Sequence, residues 1–369
     1  MSRNGYMLKG ALDRRGYDWW WHSLAGAEKK TGGLKPFFIE YYIINPAPGG
    51  KQPVLGQLEE NKKKGIKPSY AMIKAGSWGK NSAAQLHNFY GVSDFKASRE
   101  RMDVRIGDHT ATETRIIGAV GVSAKDAAEH PEWMSDAGSM SWDLTAKKVL
   151  SYDVGFGASK LLRELNAFEM FWHVQGMLTH YEGKIIWNGT EFTVTPETCC
   201  GYQDKNWGAD YTNPCVWLNC NNFRSERTGE KPALTSLDVG GARPRFFGVS
   251  LPRRLLIAFY HEGKLYEFNF SKLWKQPKQE FHCAVESSVA VWEITASTTD
   301  AKIEISFTCP LDHMMKFNYE NPDGEKNHNT LWNGHHASGT VKLYGKTASG
   351  YELIDTFFGE MGGCEYGEY

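Results

Sequence analysis

Residues 184–194 read KIIWNGTEFTV. Asn188-Gly189 stands between two short apolar runs. This pair is the strongest short-range signal for a β-hairpin, because both central residues of its tight turn need positive φ. HEGKLYEF (261–268) does similar work and predicts a longer turn. Outward from these, FFIEYYIINPAPGG (37–50) is a β-rich run that Asn-Pro and Gly-Gly terminate, and TETRIIGAVGV (112–122), VAVWEITAS (289–297) and GTVKLYGKT (339–347) follow the same style. In KIEISFTC (302–309), Ile303, Ile305 and Phe307 alternate with Lys302, Glu304 and Ser306, the pattern of a half-buried strand. Helical patterning is scarce. SAKDAAEHPEWM (123–134) and ASKLLRELNAFEMF (158–171) each predict a helix or helical turn, with Ser123 and Ser159 as N-caps and Pro131 ending the first. Many strands spread over 369 residues predict a mainly β chain built as two barrels or sandwiches in tandem. The boundary is expected near residue 160, giving domains 1–160 and 161–369.

Composition narrows the function. Apolar residues make up 41% and charged residues 23%, a globular balance. The net charge of −1, with no basic stripe, argues against a nucleic-acid partner. Lys62-Lys63-Lys64, between Gly56 and Pro68, reads as a solvated loop. Aromatic residues at 13% favour strands and the walls of an apolar cavity. Seven cysteines without a CxxC pattern read as reduced thiols, the state of a cytoplasmic protein. MSRNGYMLKGALDRRGYD has no apolar core, so no signal peptide is expected, and no run approaches the roughly 18 apolar residues of a spanning helix. That leaves contact with a membrane surface open, and the oligomeric state is not legible.

Common catalytic signatures are absent. There is no GxSxG elbow, HExxH helix or Walker loop, and GFGAS (155–159) lacks the third glycine of a dinucleotide turn. His313, His328, His335 and His336 match no familiar metal spacing and read as exposed loop histidines, so neither metal nor cofactor is expected. The informative stretch is GYQDKNWGADYTNPCVWLNCNNF (201–223). In its second half, alternation puts Val216, Leu218 and Cys220 on one face and Trp217, Asn219, Asn221 and Phe223 on the other. Indole, amides and phenyl together suit a cavity for a flat apolar molecule bearing a few oxygens; the alternative is an outer, wet sheet surface. Upstream, Asp204, Lys205 and Asn206 offer an acid, a base and a donor amide beside Trp207. Burial would move the first two toward neutrality; the alternative is a salt bridge at a turn with Trp207 as a plug. In DWWWHS (18–23), Trp20 and His22 share one side and Trp19, Trp21 and Ser23 the other. One side packs the core, and the other is expected to line a pocket with His22 at its polar end. Glu40 and Tyr42 share a face of the next strand. Trp172 reads as core, and His173 stands open between structural and functional roles.

These stretches, in order, resemble the tocopherol cyclase family, which is distantly similar to carotenoid hydratases. DWWWHSL with a strand ending in NPA resembles the family's paired first strands, and FEMFWHVQGMLTHYEGKIIWNGTEF the block ahead of its most specific motif. That motif, Glu-Lys-Asn-Trp-Gly followed by an aromatic strand with Gln-Cys-Asn-x-Phe, stands here as Asp204-Lys205-Asn206-Trp207-Gly208 and Trp217-Leu218-Asn219-Cys220-Asn221-Asn222-Phe223. HEGKLYEF and CEYG (364–367) fit the same order. Asp204 is shorter than the usual Glu, Asn219 replaces Gln, and Tyr17 stands where the family has an acid ahead of its first Trp, which implies a different substrate. No plastid-type transit segment is expected, which fits a bacterial protein. The resemblance implies two lipocalin-like (calycin) barrels and a cofactor-independent cyclising isomerase that protonates an alkene and traps the cation with a phenol or hydroquinone oxygen. The substrate would be a small lipophilic or aromatic phenol, including a polyphenol such as a chalcone. Asp204 and Lys205 would act as acid, base or positioning groups, with His22, Glu40 and His173 in reserve. Trp20, Trp207 and Trp217 would form walls, and Tyr42, Asn206, Asn219 and Asn221 would complete the substrate site. A carrier of lipophilic ligands and a hydratase of an isoprenoid alkene remain the other readings.

Overall fold

The structure, a computed structural model, describes residues 3–154, 160–270, 276–324 and 330–368. It is mainly β. Two large antiparallel sheets hold nearly all the strands, one of twelve and one of eleven. The Asn-Gly hairpin forms as expected: Met170–Trp187 turns into Thr190–Val194 through Asn188 (φ 47°) and Gly189 (φ 80°). Its counterpart is tighter than expected. Arg254–His261 passes to Lys264–Asn269 through only Glu262 (φ 43°) and Gly263 (φ 94°). Ile303, Ile305 and Phe307 point into the core of the second sheet, as their alternation requires.

Each sheet curls back on itself, and in each a side-chain amide spans the seam. Asn88 of Ala84–Tyr90 donates to the Gly121 carbonyl at 3.1 Å and accepts from the Gly121 N–H at 3.1 Å. Gln279 of Lys278–Glu286 accepts from the Leu255 N–H at 3.1 Å and donates to the Leu255 carbonyl at 2.7 Å. An amide mimics the donor–acceptor pair of a strand residue, so it satisfies edge groups that would otherwise face solvent or nothing. Trp20, Tyr41, Trp142 and Tyr181 fill the first barrel, and Trp292, Phe307, Leu218 and Val239 the second. A third apolar layer, including Trp21, Phe38, Tyr42, Trp78, Tyr202 and Trp217, lies between the two sheets.

The change of sheet comes between Gly208 and Cys215, not near residue 160. Met170–Trp187, Thr190–Val194 and Gly201–Gly208 all pair into the first sheet, and Gly201–Gly208 is hydrogen-bonded to both Tyr17–Glu28 and Met170–Trp187. Of the helix expected over 158–171, the described residues form only Lys160–Glu164, and the strand begins at Met170. Ser159 and GFGAS fall outside the described residues. The first predicted helix forms at Ala124–Glu129, with the Ser123 hydroxyl accepting from the Asp126 N–H at 3.0 Å. Lys62-Lys63-Lys64 are helical rather than looped: Glu59–Lys64 puts two acids in its first turn and ends at Gly65, whose φ of 65° closes the helix. All seven cysteines are free thiols. No described helix is long and apolar enough to cross a membrane.

Candidate active site

Gly201–Gly208 is buried along its whole length, so every side chain needs a place on one face or the other. Register decides which. Trp21 lies opposite Asp204, Trp20 opposite Lys205 and Trp19 opposite Asn206. Directly opposed residues share a face, so two chemically different surfaces result.

One face points into the first barrel. There the Lys205 ammonium is ion-paired with Asp18 and sits 3.7 Å from the centroid of the Trp20 ring. The other Asp18 oxygen accepts from the Met7 N–H at 2.7 Å. Burial raises Asp18 to about 6 and lowers Lys205 to about 8, each partly offset by its partner. Trp207 stacks on Phe171 at 5.4 Å on this same face. His22 Nδ1 is 2.8 Å from the Tyr181 hydroxyl and His173 Nε2 is 3.0 Å from Asn4 Oδ1. Burial lowers both histidines to about 3, so both are uncharged at neutral pH.

The opposite face lines a cavity of about 180 Å³ between the two sheets. Trp19, Trp21, Trp172, Trp217 and Tyr319 supply aromatic walls, and Asp204, Asn206, Asn333 and Glu365 supply the polar groups. Asp204 Oδ2 accepts from the Trp172 indole at 2.8 Å and from the Tyr202 hydroxyl at 3.2 Å, while Oδ1 has no hydrogen-bond partner. Burial pushes this carboxyl up to about 7; the Trp172 and Tyr202 hydrogen bonds work against that rise, and the nearby Glu365 and Glu40 add to it. Glu365 accepts from Cys215 Sγ at 3.0 Å and from Asn333 Nδ2 at 2.8 Å, and burial raises it too. The Oδ1 atoms of Asn206 and Asn333 are buried without partners. Such atoms cost free energy unless something arrives to pair with them. Behind Tyr319, the Glu40 carboxylate accepts from its hydroxyl at 3.0 Å and Lys74 lies 3.9 Å from its ring centroid. Burial raises Glu40 to about 7 and lowers Lys74 to about 8.

The structure therefore separates residues that the sequence grouped together. Asp204, Asn206 and Trp217 meet at the cavity, and Glu40 stands one residue behind its wall. Lys205, Trp20, Trp207, His22 and His173 belong to the other face. The alternation in DWWWHS is as expected, but the assignment is reversed: Trp20 and His22 pack the barrel, while Trp19 and Trp21 reach the cavity. Asp204 and Lys205 do not cap one chamber, because adjacent strand residues point apart. Tyr42 stays in the layer between the sheets, bonded to the Tyr211 hydroxyl at 2.7 Å. Asn219 accepts from the Gly363 N–H at 3.3 Å. Asn221 donates to the Met177 and Gly201 carbonyls at 3.1 and 2.9 Å, pinning the second sheet to the first. Trp172, expected as core, does pack partly buried against the layer between the sheets, and it also lines the cavity and donates to Asp204. Glu365 lay in the CEYG stretch, and Tyr319 and Asn333 had no local signal. His335 is a buried strand residue stacked on Trp78 at 5.4 Å, and His313 packs on His336 at 4.8 Å, so these are not exposed loop residues; His328 is outside the described residues. Among the described residues, no group of three or more His, Cys, Asp or Glu is disposed to hold a metal.

A protein named "Probable tocopherol cyclase, chloroplastic" from Oryza sativa subsp. japonica is 38% identical over 104 residues, or 27% of this chain. "Tocopherol cyclase, chloroplastic" from Zea mays is 30% identical over 104 residues, again 27% of this chain. The aligned stretch spans 20% of the length of each relative. A candidate AttH protein of known structure from Nitrosomonas europaea overlays 99% of this chain and 97% of its own at 12% identity and a TM-score of 0.46, which implies nothing about chemistry. The family described as tocopherol cyclase-like matches residues 49–368, all of the second barrel and the first barrel apart from the strands Tyr17–Glu28 and Leu34–Ile44, and the chain belongs to that family.

Proposed function

We propose that the protein is a cofactor-independent cyclising isomerase that closes a phenol or hydroquinone oxygen onto a nearby double bond. One observation carries the reading: a carboxyl that holds its proton near neutrality, Asp204, presents an unpartnered oxygen to an aromatic cavity. Asp204 gives its proton to one alkene carbon, and positive charge develops on the other. The faces of Trp19, Trp172 and Trp217 stabilise that charge by cation–π attraction in a site of low dielectric. The reacting phenol O–H donates to one of the unpartnered carbonyl oxygens of Asn206 and Asn333, which orients it, and its oxygen forms the new C–O bond. Its proton passes to the Asp204 carboxylate, so the acid is restored and the product is an isomer of the substrate. Glu365, raised by burial, holds Asn333 in place. The substrate class runs from a prenylated hydroquinone to a compact polyphenol such as a chalcone.

The test is incubation with a prenylated hydroquinone in deuterium oxide. The expected product is a ring isomer carrying deuterium at carbon, formed at a rate that falls as pH rises through about 7, where Asp204 loses its proton. Asp204→Asn should slow this by about 10²-fold or more, the usual range for a general acid. Labelled water oxygen in the product would instead identify a hydratase, and tight binding with unchanged ligand a carrier. An Asp204→Asn variant as fast as the native chain removes the proposed acid.

A further inference from the structure

Residues 242–254 read ARPRFFGVSLPRR: four arginines and no acid around an apolar FFGVSL tip. Their placement is unusual. Thr235–Ala242 and Arg254–His261 are neighbouring strands of the second barrel, with Ala242 opposite Arg254. A two-residue turn suffices to join such strands. Residues 243–253 instead leave the barrel and form a separate two-stranded ribbon, Arg245–Phe246 against Val249–Ser250. The ribbon turns at Phe247 (φ 48°) and Gly248 (φ 82°). A phenylalanine in the left-handed region is strained, and this one gains no burial in exchange. Phe247 is 58% exposed and Val249 66%.

The ribbon is anchored beside a second apolar segment. The Phe247 N–H donates to the Ala167 carbonyl at 2.8 Å, and the Phe246 and Phe168 rings lie 5.4 Å apart. Just upstream, Leu161 and Leu165 are 63% and 55% exposed. Two segments joined at Ala167 and Phe168 thus carry four large exposed apolar side chains between them, more than scattered surface residues require. The place adjoins the cavity: Phe168 and Pro244 line it, and Phe168, Met170, Leu256 and Phe270 are lining residues that remain half-exposed. Arg243 and Arg254 are exposed on either side of the ribbon, while Arg245 pairs with Asp210 at 2.7 Å and Arg253 with Glu368 at 3.5 Å.

We propose that this ribbon, with Leu161 and Leu165, docks the protein on an anionic lipid bilayer and sets the cavity mouth against it, so that a lipophilic substrate enters from the membrane. Apolar tips flanked by arginines match the acyl boundary and the phosphate layer of such a surface. A second copy of the chain suits the patch less well, because a two-fold contact would bring its arginines against themselves.

Flotation with vesicles of equimolar phosphatidylcholine and phosphatidylglycerol tests this directly. The native chain should float with them and float less with pure phosphatidylcholine. The double variant Phe247→Asn/Val249→Ser should lose about tenfold or more of its binding, with an unchanged or higher melting temperature because asparagine tolerates the left-handed turn. Arg243→Gln/Arg254→Gln should lose the preference for phosphatidylglycerol. The proposal rests on the cyclase reading only for the lipophilic nature of the substrate, and flotation needs no turnover, so the two can fail separately. A native chain that stays unbound, a Phe247→Asn/Val249→Ser variant that floats like the native chain, or self-association that this variant abolishes without any vesicle binding would each overturn the docking surface.

Discussion

Trp172 depends on Gly240. A Cβ at Gly240 would lie 2.2 Å from the Trp172 ring, so only glycine leaves that indole where it donates to Asp204 at 2.8 Å. Gly240→Ala should therefore act through Trp172. Losing a donor to the charged form raises a carboxyl pKa, so the pH at which activity disappears should move upward from about 7 while turnover falls about tenfold. Steady-state rates across pH, read with a melting curve for folding, would check this; an unmoved pH limb would detach Trp172 from the acid. At this scale the sequence was informative where residues were close together. Asp204, Asn206 and Trp217 were legible because they cluster within a few positions. Tyr319, Asn333 and Glu365 arrive from distant strands, and nothing local marked them as one wall.

The Gly201–Gly208 strand sorts its chemistry by parity. Asp204 and Asn206 face the cavity, while Lys205 and Trp207 face the first barrel. Lys205 is consequently a structural partner for Asp18. Lys205→Met should leave a buried carboxylate unpaired and cost about 3–5 kcal/mol in chemical denaturation. Cyclisation by the folded fraction should be unchanged, and Asp18→Asn added to Lys205→Met should recover much of the stability. A hundredfold loss of turnover in a folded Lys205→Met protein would contradict this division of faces. Period-two alternation was readable in DWWWHS, where it held, and in the 216–223 run, where it held only to the end of the strand at Cys220: Phe223, expected beside Trp217, packs instead with Val216, Leu218 and Cys220 in the second barrel. Which side was inner was not readable, because a strand packed on both faces has no polar side to give it away.

The whole molecule buries two opposing sets of titratable groups. His22, His87, His173 and His335 are lowered to about 3 by burial, and His336 to about 4. Unfolding lets them take up protons below about 6.5, so they make stability rise with pH over that range. Asp204, Glu40 and Glu320 are raised to about 7 and Asp18 to about 6, again by burial. These hold protons that the unfolded chain has released above about 4, so they make stability fall as pH rises through the same range. The melting temperature is expected to be nearly flat between about pH 4.5 and 6.5, and to drop below about pH 4, where only the histidines still act. A steady decline beginning at neutrality would mean that the carboxyls are ionised in the fold. What the sequence determined alone was the β character, the alternation along each strand and the turn at Asn188-Gly189, since these depend on φ preferences and spacing within a few residues. Tertiary structure alone decided that Gly201–Gly208 threads between Tyr17–Glu28 and Met170–Trp187, where the sheets divide, and which face of that strand meets the second barrel. Pairing between segments far apart in the chain sets those outcomes, and a register displaced by one residue would exchange Asp204 for Lys205 at the cavity.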